Sequence, residues 1–375
     1  MKHSTQKSIF HLSGRKLSLG LLLFLFISSC QKNETVSEPE KQESDSNFKL
    51  GSPKSIPNVP FPEGTRFFSD VSYGPGAEHK LDVFLPPLSR IPAGMVIHYH
   101  GGVFIGGDKT EIYDSYGEIL YIDSLLRNNI AFATVNYELI NPLSSDDTGV
   151  FQCFESGKRA IQAIKFNSGI LNIDSDKVIL DGSSAGAGIA LWLALSDDMA
   201  NPQSSGLSSI STRVKAVVVR KPQATYNFFL WKQKVFQNES LNLPTYENFN
   251  LDSILEDVFI LQGIGKFLGI QDLSDFGNIN AYQLLSQVDL LDKIDSADPP
   301  IYIYNEEELE EPVINQMTGI LTPQVTHHPY HSAALTKMCL DEGLEIESQI
   351  FSLSNDYPEY SSEISIINWV IEHME

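Results

Sequence analysis

The sequence predicts an α/β fold with a mostly parallel, doubly wound sheet, and three observations predict it. Past residue 60, short β-rich runs alternate with stretches of helical periodicity. Several runs, such as Ala216-Val217-Val218-Val219, are apolar without interruption, the pattern of parallel strands covered on both faces. Helix-length segments separate most of them, as crossovers between parallel strands require.

The elements follow in order. Residues 67–73 and 80–85 read as strands joined by the turn Gly74-Pro75-Gly76. Further strands are expected at 94–100, 130–136, 177–180, 214–220, 301–304 and 345–351, each bounded by Gly, Pro, Asn or Asp. Amphipathic stretches near 111–128, 153–168, 185–199, 328–342 and 360–373 read as the covering helices. One segment breaks the rhythm: residues 223–298 separate two strands by about 75 residues, where a single crossover needs roughly 15 to 30. This cap-like insertion, with helical stretches near 251–270 and 279–291, is rich in aromatics: Phe228, Phe229, Trp231, Phe236, Tyr246, Phe249, Phe259, Phe267 and Tyr282. It is expected to shape a ligand crevice, to pack as a small core of its own, or both.

Composition narrows the function. The 375 residues carry 26 Lys and Arg against 48 Asp and Glu, a formal net charge of −22. Nucleic acid is therefore excluded as an expected partner, since a polyanion needs a basic footprint. With 42% hydrophobic and 20% charged residues the chain can bury a full core. Residues 1–29 have the form of a signal peptide: Lys2, Lys7, Arg15 and Lys16 precede the apolar run 17–27, too short to span a bilayer. The run ends Ile27-Ser28-Ser29-Cys30, which resembles a bacterial lipobox and implies lipidation at Cys30. Residues 30–60 read as a flexible linker, polar and almost without aromatics, leading to a domain over 61–375. Gln31-Lys32-Asn33-Glu34 is similar to tracts that send lipoproteins to the outer face of the outer membrane. The expected location is thus the bacterial cell envelope, on a lipid tether. Cys153 and Cys339 lack any CxxC spacing and are expected as buried free thiols.

Two constellations carry chemistry. Asp181-Gly182-Ser183-Ser184-Ala185-Gly186 follows a strand and opens a helix, the context a GxSxG turn needs. Glycines two before and two after the central serine allow so sharp a turn. Ser184 then projects above the sheet, where the Ala185 N–H can donate to a developing oxyanion. The second is His100-Gly101-Gly102-Val103-Phe104-Ile105-Gly106-Gly107-Asp108, whose paired glycines let main-chain N–H groups line a pocket. No GxGxxG or GxxxxGK spacing marks a phosphate loop.

Together with VNYEL at 135–139, IDSDKVILDGSSAGAGIALWLAL at 173–195 and SYGPGAEHKLDVFLP at 72–86, the HGGVFIGGD run resembles the α/β-hydrolase superfamily. The branch is similar to the carboxylesterase, hormone-sensitive-lipase-like and feruloyl-esterase/deacetylase-like enzymes. The resemblance implies an α/β-hydrolase fold, Ser184 as nucleophile, the N–H groups of Gly101, Gly102 and Ala185 as oxyanion hole, and His100 as a structural residue. It implies an acid just after the seventh strand, where Glu308 falls at the matching step and Glu306 and Glu307 are the alternatives. It also implies a histidine after the last strand, but Asp356 stands there, and His373 lies at the end of an amphipathic helix, where exposure is expected. A migrated base is therefore sought in Thr326-His327-His328-Pro329-Tyr330-His331, which starts a helix at the edge that carries Ser184; His328 is taken as the candidate, with His327 and His331 beside it. A metal at this HHxxH spacing is not expected, since zinc sites usually show HExxH-like order, and no cofactor is called for. The expected activity is hydrolysis of a carboxylic ester, on a small ester or an acylated glycan, through an acyl-Ser184 intermediate. The alternative is a hydrolase-fold binding protein that has lost its base.

Overall fold

A computed structural model describes residues 48–55, 61–246, 251, 255–272, 274, 279–312 and 322–375. The expected signal peptide, Cys30, most of the linker and Phe249 lie outside these residues. Eight strands form one sheet in the order β1-β2-β4-β3-β5-β6-β7-β8. They are β1 Arg66–Ser72, β2 Lys80–Leu85, β3 Ala93–Tyr99, β4 Ile130–Val135, β5 Ile173–Ser183, β6 Ala216–Arg220, β7 Ile301–Asn305 and β8 Ile346–Ile350. β2 pairs antiparallel with both β1 and β4, and every later pair is parallel. The sheet reverses direction of growth at β3, so the mouth for a ligand lies beyond the C-terminal ends of β3 and β5.

Each face of the sheet has its own helices. Helices α1 (Tyr116–Arg127) and a C-terminal helix at Ile366–Met374 cover one face, packing Ile122, Leu125, Trp369 and Val370 on Val96, Ile179 and Val218. Helices α2 (Val150–Phe166) and α3 (Ala185–Ala194) cover the other, packing Ile161, Ile164, Ile189 and Leu193 with Ile97, Leu180 and Val217. Alternate residues of each buried strand feed the two cores, which is why the strands read as unbroken apolar runs.

Several boundaries differ from expectation, among them the helix expected over 185–199, which ends at Ala194, and the strand expected at 214–220, which starts at Ala216. β5 starts at Ile173, before the polar Asp174-Ser175-Asp176, because Ala93 pairs with Ile173 across a register shift. The C-terminal helix begins at Ile366, not near 360: Pro358 sits in a separate short turn, and Ser365 caps the helix by accepting from the Asn368 N–H at 3.4 Å. Cys153 and Cys339 are free and buried, and burial pushes both thiols up, Cys339 to about 12. His373 is half-buried, contrary to the expected exposure. Its ring lies 3.9 Å from that of Trp369 and its Nδ1 contacts the Trp369 carbonyl at 2.8 Å.

Between β6 and β7 the chain adds helices α4 (Val258–Phe267) and α5 (Ile279–Gln287). Four of its aromatics, Phe228, Trp231, Phe236 and Phe267, pack inward, whereas Phe259 and Tyr282 are exposed. Phe267 meets Phe104 of the glycine-rich loop at 5.7 Å, and Trp231 meets the ring of His331 at 4.6 Å. The insertion therefore braces segments from two sides of the sheet rim. Among the described residues no helix is long and apolar enough to cross a membrane.

Candidate active site

Ser184 stands where β5 turns into α3, with φ 52° and ψ −115°, a backbone region that costs a non-glycine residue on the order of 1 to 3 kcal/mol. Its neighbours show why the turn needs glycine. A Cβ on Gly186 would lie 2.0 Å from the Tyr99 carbonyl oxygen, and one on Gly182 would lie 2.3 Å from that of Gly186. The turn is tied to β6 by the Ser184 N–H, which donates to the Arg220 carbonyl at 2.9 Å. Arg220 in turn pairs with buried Asp181 at 2.5 Å. Burial works to raise the Asp181 carboxyl, but Arg220 and His98 hold it at about 2. An ionised pair thus locks β5 to β6 beneath the nucleophile.

The glycine-rich loop lies against this turn. A Cβ on Gly101 would fall 3.5 Å from Ser184 Cβ, so the main chain of Gly101 sits directly beside the serine. Gly102, Val103 and Phe104 all have positive φ, at 110°, 57° and 63°. Such a run, with a β-branched member, persists only where the surroundings over-determine it. Here Phe104 is buried against Tyr137, Phe154, Tyr226 and Phe267. The VNYEL segment supplies the other anchors. Asn136 donates to Asp108 at 2.9 Å, and the Tyr137 hydroxyl donates to the His100 carbonyl at 2.9 Å. His100 stacks on Tyr137 and directs Nδ1 to the Gly101 carbonyl at 2.7 Å, and burial lowers its pKa to about 4. It braces the loop and does not reach for Ser184.

The imidazole against the serine is that of His327, whose Nε2 lies 2.7 Å from Ser184 Oγ. It comes from the short helical turn Pro323–Thr326 and its cap, immediately before helix α6 (Pro329–Glu342). His328, the expected candidate, is committed elsewhere. As N-cap of α6 it accepts the Tyr330 N–H on Nδ1 at 3.1 Å, and its Nε2 meets the Tyr246 hydroxyl and the Glu310 carbonyl at 3.1 Å each. His331 is buried, accepting from Ala224 N–H on Nδ1 and donating from Nε2 to the Val325 carbonyl. The three rings thus point to three different places, and no group of three or more His, Cys, Asp or Glu among the described residues is arranged to hold a metal.

The resemblance points to Glu308 for the acid, with Glu306 and Glu307 as alternatives; Glu308 is exposed, and Glu307 is the carboxylate whose charge acts on His327. Just past β7, Asn305 Oδ1 accepts the Glu307 N–H at 2.9 Å. Buried Asn305 also donates to the His327 carbonyl at 3.1 Å and to Ser332 Oγ at 3.0 Å. Lys221, with φ 49° just past β6, places its ammonium 2.9 Å from both Glu306 and Glu307. Gln223 donates to the Thr326 carbonyl at 2.7 Å, fastening the histidine segment to the insertion. Burial lowers the pKa of His327; the Glu307 carboxylate opposes this and the Lys221 ammonium adds to it. Asp356, in the turn after β8, is exposed. Asn305, Lys221 and Gln223 escaped the sequence reading; only Asn305, a polar residue closing an apolar strand, left a signal there.

The sheet order, the strained serine turn and the glycine-rich loop beside it define an α/β-hydrolase fold. Residues 81–245 match the model of the BD-FAE family, a span that holds Ser184 and both glycine-rich segments. An arylesterase of Saccharolobus solfataricus is 34% identical over 109 residues, which cover 29% of this chain and 32% of that protein. The chain therefore spans about a third of the length of the curated relative it matches. A truncated carbohydrate esterase from gut microbiota superposes with a TM-score of 0.54 at 14% identity, over 84% of this chain and 99% of that one. Esterase B from Lactobacillus rhamnosis superposes with a TM-score of 0.49 at 16% identity, over 83% and 82% of the two chains.

Proposed function

We propose that the protein is a serine hydrolase of carboxylic esters that works through an acyl-Ser184 intermediate. The observation that carries this reading is the 2.7 Å contact between Ser184 Oγ and His327 Nε2. A serine hydroxyl is a poor nucleophile at neutral pH until a base takes its proton, and lowering the histidine pKa keeps that base neutral. Nε2 accepts the proton as Oγ attacks the ester carbonyl, and Nδ1 keeps its own. Negative charge then builds on the carbonyl oxygen, where the N–H groups of Ala185, Gly101 and Gly102 form the oxyanion hole. Collapse breaks the bond to the alcohol, which leaves with the proton from Nε2. Water repeats the sequence on the acyl-enzyme and regenerates Ser184. Glu307 is assigned as the acid that stabilises the imidazolium, in place of Glu308.

The matches to an arylesterase and to the BD-FAE family support ester chemistry. A binding protein without a base is disfavoured by the occupied position at Nε2 of His327. The test is hydrolysis of p-nitrophenyl acetate by purified protein: release of nitrophenol should require Ser184, and turnover undiminished in Ser184→Ala would refute the reading. We further propose that the mature chain is held at the cell envelope through acylated Cys30, supported by the lipobox-like residues 27–30. Cys30→Ser should shift the protein from the membrane to the soluble fraction; wild-type protein that is fully soluble after processing would refute the anchor.

A further inference from the structure

A base must stay aimed at the hydroxyl it deprotonates, and His327 sits in a connection, between the four-residue turn Pro323–Thr326 and α6. Its main chain is tied at both polar groups. The His327 N–H donates to the Pro323 carbonyl at 2.9 Å, within the turn, and the His327 carbonyl accepts from Asn305 Nδ2 at 3.1 Å. The second bond reaches the sheet. Asn305 ends β7, and its carbonyl accepts the Phe351 N–H at 3.0 Å, which fixes it to the end of β8. A side chain rooted on a paired strand holds its partner more exactly than one rooted on a loop.

The same amide reaches the carboxylate segment. Asn305 Oδ1 accepts the Glu307 N–H at 2.9 Å, and Nδ2 also donates to Ser332 Oγ at 3.0 Å, in the first turn of α6. Asn305 has no exposed surface, so a bond lost here finds no water in exchange. The pattern requires an amide, with two N–H donors and one carbonyl acceptor on a single planar group. Leucine would keep the shape and lose all three bonds, and a carboxylate would set an acceptor against the His327 carbonyl.

We propose that Asn305 is a positioning residue for the catalytic pair, holding His327 and Glu307 in register from one buried amide. The proposal rests on the hydrolase reading above. Besides burial, which lowers its pKa, His327 feels the Glu307 carboxylate, which raises it, and the Lys221 ammonium, which lowers it; Glu306 lies across Lys221, and the buried ring of His331 is on the same segment. When the amide is lost, Glu307 leaves its place and its upward pull on the imidazole weakens. The acidic limb of kcat/KM then moves to lower pH, the direction opposite to that expected on losing Lys221.

Full-length wild type, Asn305→Ala and Ser332→Ala are compared on p-nitrophenyl acetate across the pH range of activity. Asn305→Ala should lower kcat about a hundredfold, the scale of a small misplacement, with KM within about threefold of wild type and the acidic limb at lower pH. Ser332→Ala breaks a bond of the same network without touching base or acid, so it should lower Tm and leave kcat and the pH profile in place. Circular dichroism checks folding, and Asn305→Ser replaces Asn305→Ala if the latter misfolds. A folded Asn305 variant with wild-type kcat, an acidic limb that stays where it was, or an equal loss of kcat in Ser332→Ala overturns the proposal. His327→Ala is assayed in parallel: full activity there removes the hydrolase reading itself, whereas an inactive His327→Ala beside a fully active Asn305→Ala spares that reading and removes only the role of Asn305.

Discussion

The two halves of the site are built differently. On the β3 and β5 side, Gly101, Gly102, Gly182, Gly186 and the turn that presents Ser184 are set by main-chain close approach, as the 2.0 Å separation that a Gly186 Cβ would have from Tyr99 oxygen makes plain. On the β7 side the contacts run through side chains from separate segments: His327 Nε2 meets Ser184 Oγ, the Asn305 amide holds the His327 carbonyl and the Glu307 N–H, and the Lys221 ammonium meets the Glu307 carboxylate. Main-chain geometry demands particular residues at particular steps. A side-chain constellation demands only that an imidazole arrive at Oγ, and any loop on that rim can deliver it.

The sharpest break between the halves should come from the contact that joins them. Ser184→Ala and His327→Ala should each lower kcat on a short acyl ester by about a millionfold, the scale on which such triads behave as a unit. His328→Ala, which removes a helix cap and two contacts, should reduce stability by about 1 kcal/mol and leave catalysis far less affected. Next in size is the acid. Glu307→Gln should cost roughly 10⁴ in kcat, while Glu308→Gln should stay within about twofold; the reverse order would return the role to Glu308.

How far the site was legible in the sequence follows the same division. Ser184, Ala185, Gly101 and Gly102 stood in short motifs because each glycine answers a local steric demand, and in the structure Gly101 lies beside Ser184. The histidine was narrowed to one hexapeptide, since Thr326 to His331 starts a helix on the correct rim. The choice within it was missed, because His327 and His328 differ only in which faces the serine. That is decided by the cap at His328, by Gln223 from 103 residues away and by Asn305. Moving the acid from Glu308 to Glu307 belongs to the proposal, and it rests on the exposure of Glu308 and the Glu307 charge at His327, which spacing along the chain does not carry. Strands were legible as apolar runs, and the start of β5 was not, because Asp174-Ser175-Asp176 behind its first residue are polar and a register shift interrupts its pairing with β3 there.

Smaller effects refine the comparison. Gly186→Ala should reduce stability by on the order of 3 kcal/mol, whereas Gly169→Ala, with nothing within 4 Å of the added carbon, should change it by less than about 0.5 kcal/mol. Chemical denaturation of both variants measures the difference. Lys221→Met should move the acidic limb of the pH profile for kcat/KM upward. Its ammonium lowers the pKa of His327, and its loss also frees Glu307 to raise it, so the neutral base appears only at higher pH. The most gradual effect is on acid stability. Burial depresses His331 from 6.5 to about 3, so below pH 6.5 the unfolded chain takes up a proton that the folded chain refuses. Stability from this group is full above that pH and falls as pH drops toward about 3, and His331→Asn should flatten the corresponding decline in Tm.

The central claim is that Ser184 is made reactive by His327, and rates of fluorophosphonate labelling on the intact chain test it directly. Peptide mapping should find the label on Ser184 in wild-type protein and at a comparable rate in His328→Ala. Labelling should be lost in His327→Ala with the fold intact. Wild-type protein that takes no label, or His327→Ala that labels as fast as wild type, would contradict the account.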